Sequence, residues 1–148
     1  DPGQGLPMFN QEELKRFIEI ADYVVVNDYE SEMLAQNSGM SVAKIAAQVD
    51  ALIITRGAKG SEIYADGEML KIPSAAISKA VDPTGCGDAY RAGLLYGVKH
   101  GLDWQTSGRM ASLLGAIKIE QPGTQNHSFT PVSFKARYKE TFGLDLSL

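Results

Sequence analysis

The stretch VDPTGCGDAYRAGLLYG, residues 81–97, decides the architecture and the chemistry that this chain predicts. Asp82 and Asp88 flank a short loop that contains Gly85 and Gly87, and an apolar run with helical spacing follows at once. Glycine lets a backbone turn sharply and approach a ligand without a clash at Cβ. The pattern therefore predicts a loop that leads directly into a helix, whose first N–H groups have no partners within the helix.

Those N–H groups, together with the positive end of the helix dipole, form a predicted anion site. Asp88 is unexpected there, because its carboxylate would repel a bound phosphate. A group that takes a proton from an attacking hydroxyl, while the amides hold the transferring phosphoryl group, would explain its position. The alternative is structural, since acidic residues in a first helical turn complement the dipole. The loop alone leaves both interpretations open.

The flanking segments alternate between strand and helix patterns. The apolar runs at 22–27 and 51–55 predict buried strands, and the three valines of the first do not alternate with polar residues. Strand–helix–strand order predicts parallel strands, whereas Asp66-Gly67 between two β-prone runs predicts an antiparallel hairpin. The predicted fold class is α/β, a Rossmann-like three-layer sheet with flanking helices. Helices are expected at 11–21, 29–38, 41–49, 85–100, 103–120 and 131–142.

The stretch TRGAKG directly follows the second predicted strand, at the carboxyl end where open α/β sheets bind ligands. Thr55 offers a hydroxyl, and Gly57 and Gly60 would let a nucleotide lie close to the backbone. Taken alone this is a weak signal, because most glycine turns are only turns.

The stretch NDYESE follows the first predicted strand in the same way. Asn27 and Glu30 carry oxygen atoms suited to orienting Mg²⁺-bound water beside phosphates. A structural role is open here too, since Glu30 also suits the start of a helix. The Walker signature G-x-x-x-x-G-K-[ST] and the dinucleotide signature G-x-G-x-x-G do not occur in the sequence.

Composition excludes several classes of function. Hydrophobic residues make up 44% and charged residues 22% of the 148 residues, which is typical of a soluble globular protein. The net charge of −4 disfavours a nucleic-acid partner, and no apolar run approaches the ~18 residues of a membrane span. The single cysteine, Cys86, excludes an internal disulfide framework and predicts a cytoplasmic protein. With no histidine near it in sequence, Cys86 is interpreted as structural.

Residues 82–93, DPTGCGDAYRAG, resemble the D-T-x-G-A-G-D-x-F signature of the PfkB carbohydrate kinases, the ribokinase and adenosine kinase family. NDYE is similar to that family's N-x-x-E motif, and TRGAKG to its T-x-G-x-x-G motif. The three occur in the family's order across most of the chain. Three motifs in order are much more specific than one glycine loop.

The resemblance implies a ribokinase-like fold and ATP-dependent phosphotransfer to a hydroxyl of a sugar, such as ribose or fructose, or of a nucleoside such as adenosine. Asp88 would be the general base that deprotonates this hydroxyl. The remaining implied roles are an anion hole framed by Gly85, Cys86 and Gly87, contacts to ATP from Thr55, Gly57 and Gly60, and organisation of Mg²⁺ and phosphate by Asn27 and Glu30.

The resemblance also implies a site for a monovalent cation such as K⁺. In ribokinase-like members, the residues that match Asp82 and the Thr84 carbonyl help to hold this ion with a later loop, which GTQNHSF, beginning at Gly123, resembles. Pro83 departs from the family pattern, where threonine is usual. Proline fixes φ and removes one N–H, which affects the cation geometry more than the base.

We expect residues 1–148 to be the carboxy-terminal ATP-binding and catalytic half of a PfkB-type kinase domain. Family members run about twice this length, and the amino-terminal half that carries the lid and most acceptor contacts has no counterpart here. The chain begins at Asp1, and DPGQGLP reads as the exit from a strand or loop. This half would pair with the amino-terminal half or form a homodimer, and would be inactive alone.

Two alternatives come from other functional classes. The first is a regulatory module of the same fold that binds a nucleotide without turnover, which the presence of Asp88 and both glycines disfavours. The second is an unrelated α/β enzyme that binds a phosphate. A glycine-glycine motif and a lid-like β segment encoded upstream of Asp1 would favour the kinase over both.

Overall fold

The structure is a computed structural model that describes residues 1–147. The chain divides after Lys71 into two compact units. The helices are α1 (Gln11–Ile20), α2 (Asp28–Ser38), α3 (Val42–Ala46), α4 (Cys86–Lys99), α5 (Trp104–Ile119) and α6 (Pro131–Phe142). The strands are β1 (Tyr23–Asn27), β2 (Ala51–Thr55), β3 (Ser61–Ala65) and β4 (Glu68–Ile72). The α/β class is therefore confirmed.

The four strands form one mixed sheet in the order β1-β2-β3-β4. β1 and β2 are parallel and in register from Tyr23 opposite Ala51 to Asn27 opposite Thr55. β2 and β3 are antiparallel. The turn between β3 and β4 has positive φ at Asp66 (54°) and Gly67 (79°), the backbone that an Asp-Gly hairpin favours. Both the parallel pair and the hairpin agree with the sequence prediction.

Helices of the first unit begin where the sequence places their caps. Asn10 and Glu13 form a capping box at α1, in which each side chain accepts a hydrogen bond from the other residue's backbone N–H. The prediction for α3 is wrong in length, since this helix ends at Ala46 and not at residue 49. The reason is tertiary: the Asp22 carbonyl accepts a hydrogen bond from Asp50 N–H at 2.8 Å, which draws the chain into β2.

The core of the first unit fills the space between α1, α2, α3 and one face of the sheet. Val24 and Val26 are buried in it, whereas Val25 is half-buried on the other face of an edge strand. The prediction that β1 is buried throughout is therefore wrong. The buried hydrophobic residues of this core are Leu6, Leu14, Ile18, Val24, Val26, Leu34, Met40, Ile45, Leu52 and Ile54.

The second unit contains α4, α5 and α6. α4 and α5 pack against each other along their length, and α6 packs against α5. The buried hydrophobic residues of this core are Ala75, Met110, Leu113, Ala116, Ile117, Phe134, Tyr138 and Leu146. No helix within residues 1–147 has the length and apolar character required to cross a membrane.

Candidate functional site

Gly85 is the residue that allows the loop to turn into α4. It is the N-cap of that helix and has φ 84°, in the left-handed region that disfavours side chains. A Cβ at this position would lie only 2.7 Å from the Thr124 carbonyl oxygen. The fold itself therefore requires glycine here, both for the conformation and for the close approach of the two loops.

Gly87 lies in the first turn of α4 and is exposed. Its φ is not positive, and the nearest atom to an added Cβ would be Arg91 Nη1 at 3.4 Å, the end of a flexible side chain. The described fold thus gives no reason for glycine at this position. A Cβ at this position would tilt toward the N-terminus of α4, where the first-turn N–H groups lie, and glycine has none.

The N-terminus of α4 also differs from those of the other long helices. Its N-cap, Gly85, makes no side-chain hydrogen bond to the first turn. The other N-termini are capped by the side chains of Asn10 (α1), Asn27 (α2), Asp103 (α5) and Thr130 (α6). In this first turn the Cys86 N–H donates to the Pro83 carbonyl at 3.1 Å, whereas the N–H groups of Gly87 and Asp88 have no side-chain cap and lie at the positive end of a 14-residue helix, the arrangement that binds anions.

Asp88 occupies the same turn, and its side chain is 77% exposed. Its Oδ1 atom pairs with Arg91 Nη2 at 2.6 Å. Arg91 was not among the predicted site residues, although the spacing of three residues on a helix is the signal for such a pair. Arg91 thus places a positive charge next to the Asp88 carboxylate.

Asp82 ties the loop to the later segment that begins at Gly123. Its Oδ1 accepts a hydrogen bond from Thr84 N–H at 2.9 Å, and its Oδ2 accepts one from Gly123 N–H at 2.9 Å. The backbone and hydroxyl of Thr84, then the Gly123 N–H, lower the pKa of Asp82 to about 2. The structure therefore brings together the three residues that were predicted to lie around a monovalent cation.

Lys118, near the end of α5, is the charged residue that sequence reasoning missed at this place. Its side chain is fully buried, and its Nζ atom donates to the Asp82 carbonyl at 2.7 Å and to the Gln121 carbonyl at 3.2 Å. Its position directly after Ile117 in an apolar helix gives no indication of these partners.

The residues predicted for K⁺ do not fit that ion in this arrangement. Both carboxylate oxygens of Asp82 accept backbone N–H groups, and its carbonyl accepts the Lys118 ammonium. A second positive charge beside this ammonium would be repelled. Among residues 1–147 there is also no group of three or more His, Cys, Asp or Glu side chains that could hold a metal ion.

Cys86 lies between the two glycines and is half-buried. Its thiol donates weakly to the Asp82 carbonyl at 3.8 Å, and burial raises its pKa. A raised thiol pKa means little thiolate and low reactivity. The structural interpretation of this residue agrees with its surroundings.

Asn27 and Thr55 are neighbours in the parallel register, so the ends of β1 and β2 bring NDYE and TRGAKG to the same edge of the first unit's sheet. Asn27 Oδ1 accepts from Glu30 N–H at 2.8 Å, and Glu30 Oε2 accepts from Asn27 N–H at 2.9 Å. This capping box starts α2. The helix-start role of Glu30 is thus present, and it uses only one carboxylate oxygen.

The TRGAKG loop is held by its own backbone. Arg56 N–H donates to the Gly60 carbonyl at 2.8 Å, and Gly60 N–H donates to the Gly57 carbonyl at 3.0 Å. Arg56 pairs with Glu62 at 2.9 Å, which lowers the pKa of Glu62, while the buried Arg56 Nε atom has no hydrogen-bond partner in the described structure. The part of this loop that is exposed at the carboxyl end of β2 is residues 57–59, because Gly60 is buried and its N–H and carbonyl are used within the loop.

A family model, related sequences and related structures all indicate the same family for this chain. A model of the pfkB family of carbohydrate kinases matches residues 3–131. The nucleoside kinase of Methanocaldococcus jannaschii is 35% identical over 127 residues, which cover 86% of this chain and 42% of that protein. The structure of that enzyme, an archaeal member of the ribokinase family, has a TM-score of 0.90 at 34% identity and matches 95% of this chain and 47% of its own.

The nucleoside kinase of Burkholderia thailandensis is more similar in structure. Its complex with inosine has a TM-score of 0.96 and 48% identity, covering 98% of this chain and 48% of that one. Its complex with ADP-inosine has the same TM-score and identity, with 98% and 46% covered. This chain thus spans about half the length of these relatives, and its ribokinase-like fold is confirmed. On the family match and these similarities together, the chain belongs to the pfkB family of carbohydrate kinases.

Proposed function

We propose that the complete protein uses ATP to phosphorylate a hydroxyl group of a nucleoside or sugar. The observation that carries the proposal is the first turn of α4, which has no side-chain cap, is opened by Gly87 and carries Asp88 one residue later. If Asp88 only complemented the helix dipole, its position would be explained. The glycine beside it, Gly87, would not be explained, because the fold does not require glycine there.

In the proposed reaction Asp88 accepts the proton of the acceptor hydroxyl as the oxygen attacks the γ-phosphorus of ATP. The bond from this phosphorus to the β–γ bridging oxygen breaks, and ADP leaves. The N–H groups of Gly87 and Asp88 stabilise the negative charge on the transferring phosphoryl oxygens, and Cys86, whose own N–H donates to the Pro83 carbonyl at 3.1 Å, completes the frame of the anion hole. Gly85 gives the loop the turn that aims these N–H groups outward.

ATP is proposed to contact Thr55, Gly57 and Gly60. Support comes from the position of this loop at the carboxyl end of β2 and from the exposed backbone at Gly57, while the buried Gly60 closes the loop. Mg²⁺, held through water beside Asn27 and Glu30, would neutralise phosphate charge when bound. Glu30 is suited to this because its capping bond uses Oε2 and leaves the other carboxylate oxygen.

A nucleoside acceptor is the favoured choice within this proposal. The Burkholderia relative, at 48% identity, is a nucleoside kinase solved with inosine, and the Methanocaldococcus relative is also named a nucleoside kinase. A more distant match, inositol 3-kinase of Arabidopsis thaliana, is 35% identical over 72 residues, only 49% of this chain. A cytoplasmic location belongs to the same proposal and is supported by the single cysteine, Cys86.

We propose that the remaining half of the kinase domain, the amino-terminal half with the lid, covers the β1 side of the first unit. β1 is an edge strand in residues 1–147, and an open strand edge favours pairing. Beside it lies a cleft of about 470 Å³ whose walls include Phe9, Phe17, Ile20 and Tyr23. Phe17 and Ile20 are 42% and 62% exposed, and apolar surface of this kind favours association.

An assay of ADP release tests the proposed activity in the complete protein, with inosine, adenosine, ribose and fructose each supplied beside ATP and Mg²⁺. We expect ADP release that depends on the acceptor and is fastest with a nucleoside. Nucleotide binding without acceptor-dependent release would favour the regulatory module instead. The 148-residue chain, assayed alone, should bind ATP weakly and release no ADP, because it lacks the half that closes over the substrates.

A further inference from the structure

The buried ammonium of Lys118 binds the backbone next to the glycine loop and has no role in the proposed reaction. Lys118 is fully buried, and a buried charge is costly unless it is well paired. Its Nζ atom binds two main-chain carbonyls, those of Asp82 at 2.7 Å and Gln121 at 3.2 Å. One carbonyl precedes the anion loop in sequence and the other follows α5. The ammonium therefore joins two segments 39 positions apart in the sequence numbering.

Three hydrogen bonds and one close approach also join the same two segments. Asp82 Oδ2 accepts the Gly123 N–H, the Ile119 carbonyl accepts the N–H groups of Val81 (2.8 Å) and Asp82 (3.1 Å), and Gly85 lies against the Thr124 carbonyl. The Lys118 ammonium adds to these contacts a positive charge that binds two main-chain carbonyls. It also contributes to the lowered pKa of Asp82.

We propose that the Lys118 ammonium takes the place of the monovalent cation expected from the resemblance, so that this protein needs no K⁺. The proposal rests on the proposed function only for its activity readout. Main-chain carbonyls are the oxygen ligands that K⁺ uses in proteins, and here they bind a monovalent cation that is covalently part of the chain. Because that cation cannot dissociate, the loop keeps its arrangement in any salt.

The first test is a salt series on the complete wild-type protein. Chlorides of K⁺, Na⁺ and tetramethylammonium are compared at equal ionic strength, with thermal unfolding and ADP release as separate readouts. A specific ligand raises the unfolding midpoint, so a protein with its own cation should show no difference between the salts. A rise in midpoint or in ADP release that is specific to K⁺ would overturn the proposal.

The second test removes the ammonium by Lys118→Ala, which leaves room for an ion. We expect the unfolding midpoint to fall by about 5–10 °C, because hydrogen bonds to a charged group are lost. K⁺ or NH₄⁺, but not tetramethylammonium, should restore part of the midpoint and part of the ADP release. The matched control is Lys99→Ala, at an exposed lysine in the last turn of α4, which should show no such response.

If Lys118→Ala folds and its unfolding midpoint and ADP release respond equally to K⁺, NH₄⁺ and tetramethylammonium, the ammonium does not replace a bound cation. Lys118 would then have only a packing role. If this variant does not fold, the wild-type salt series still decides. If the wild-type protein releases no ADP in any salt while its unfolding is independent of K⁺, the proposed function fails and the cation inference stands.

Discussion

Gly87→Ala should make the protein slightly more stable and much less active. Gly87 has no positive φ, and replacing a helical glycine by alanine stabilises a helix by up to about 1 kcal/mol. The new Cβ would approach only Arg91 Nη1, at 3.4 Å, and that side chain can move. We therefore expect a rise in the unfolding midpoint of about 1–3 °C.

The Cα–Cβ bond of a helical residue tilts toward the N-terminus of its helix, so the same methyl group would project toward the N–H donors that are proposed to hold the transferring phosphoryl group. Displacing a reacting group by about 1 Å, or losing one such donor, costs about 10²-fold in rate. The measurement is kcat for ADP release in the complete protein, beside the unfolding midpoint of the same preparation. A rise in the unfolding midpoint together with a fall in kcat is the result expected if Gly87 is required for ligand binding and not for folding.

Gly85→Ala is the matched control, two residues away. Its φ of 84° and the 2.7 Å approach to the Thr124 oxygen mean that alanine is strained, so the midpoint should fall. Gly87→Ala with wild-type turnover would refute the phosphate site at the first turn of α4. A fall in its midpoint comparable to that of Gly85→Ala would show that the fold requires this glycine after all.

Three further predictions concern charged residues of the second unit. Asp88→Asn should lower turnover by about 10²–10⁴-fold with nucleotide affinity nearly unchanged, and near-normal turnover would remove it as the base. Arg91→Leu should reduce turnover, because the Asp88 carboxylate loses its ion-pair partner. The unfolding midpoint should change little, because exposed ion pairs contribute only about 0–1 kcal/mol. Asp82 has its pKa lowered from 3.8 to about 2, so its contribution to stability is complete above 3.8 and is lost as the pH falls towards 2. Asp82→Asn should remove that part of the pH dependence, which thermal unfolding across this range measures; an unchanged pH profile would contradict it.

Local sequence signals predicted most of the fold. The Asp66-Gly67 turn was predictable because only residues that tolerate positive φ suit such a hairpin. The start of α1 was predictable because Asn10 and Glu13 have the spacing that a capping box needs. The end of α3 was not, because the Asp22 carbonyl that draws the chain into β2 lies far from it in sequence.

In the candidate site, too, local features were predictable from the sequence and contacts between distant residues were not. Sequence identified Gly85 and Gly87 together and gave them one role, since both can turn a backbone. Only the distance from Gly85 to the Thr124 oxygen, across 39 positions, separates a glycine that the fold requires from one that it does not. The assignment of Asp88 as the base stays a prediction, because its exposed pair with Arg91 is compatible with a structural acid as well.

For the expected K⁺ site, the motifs predicted which residues meet, whereas the role proposed here for Lys118 had no signal in the sequence. The motif residues Asp82 and Gly123 do meet, as the resemblance implies. The residue that decides whether an ion fits is Lys118, which lies outside every motif and reaches the site only because α5 ends beside it. An anion loop needs a fixed backbone more than it needs a particular cation, since its N–H groups act through their direction. In the proposed arrangement, the ammonium of Lys118 would fix that backbone in place of a bound ion and independently of salt.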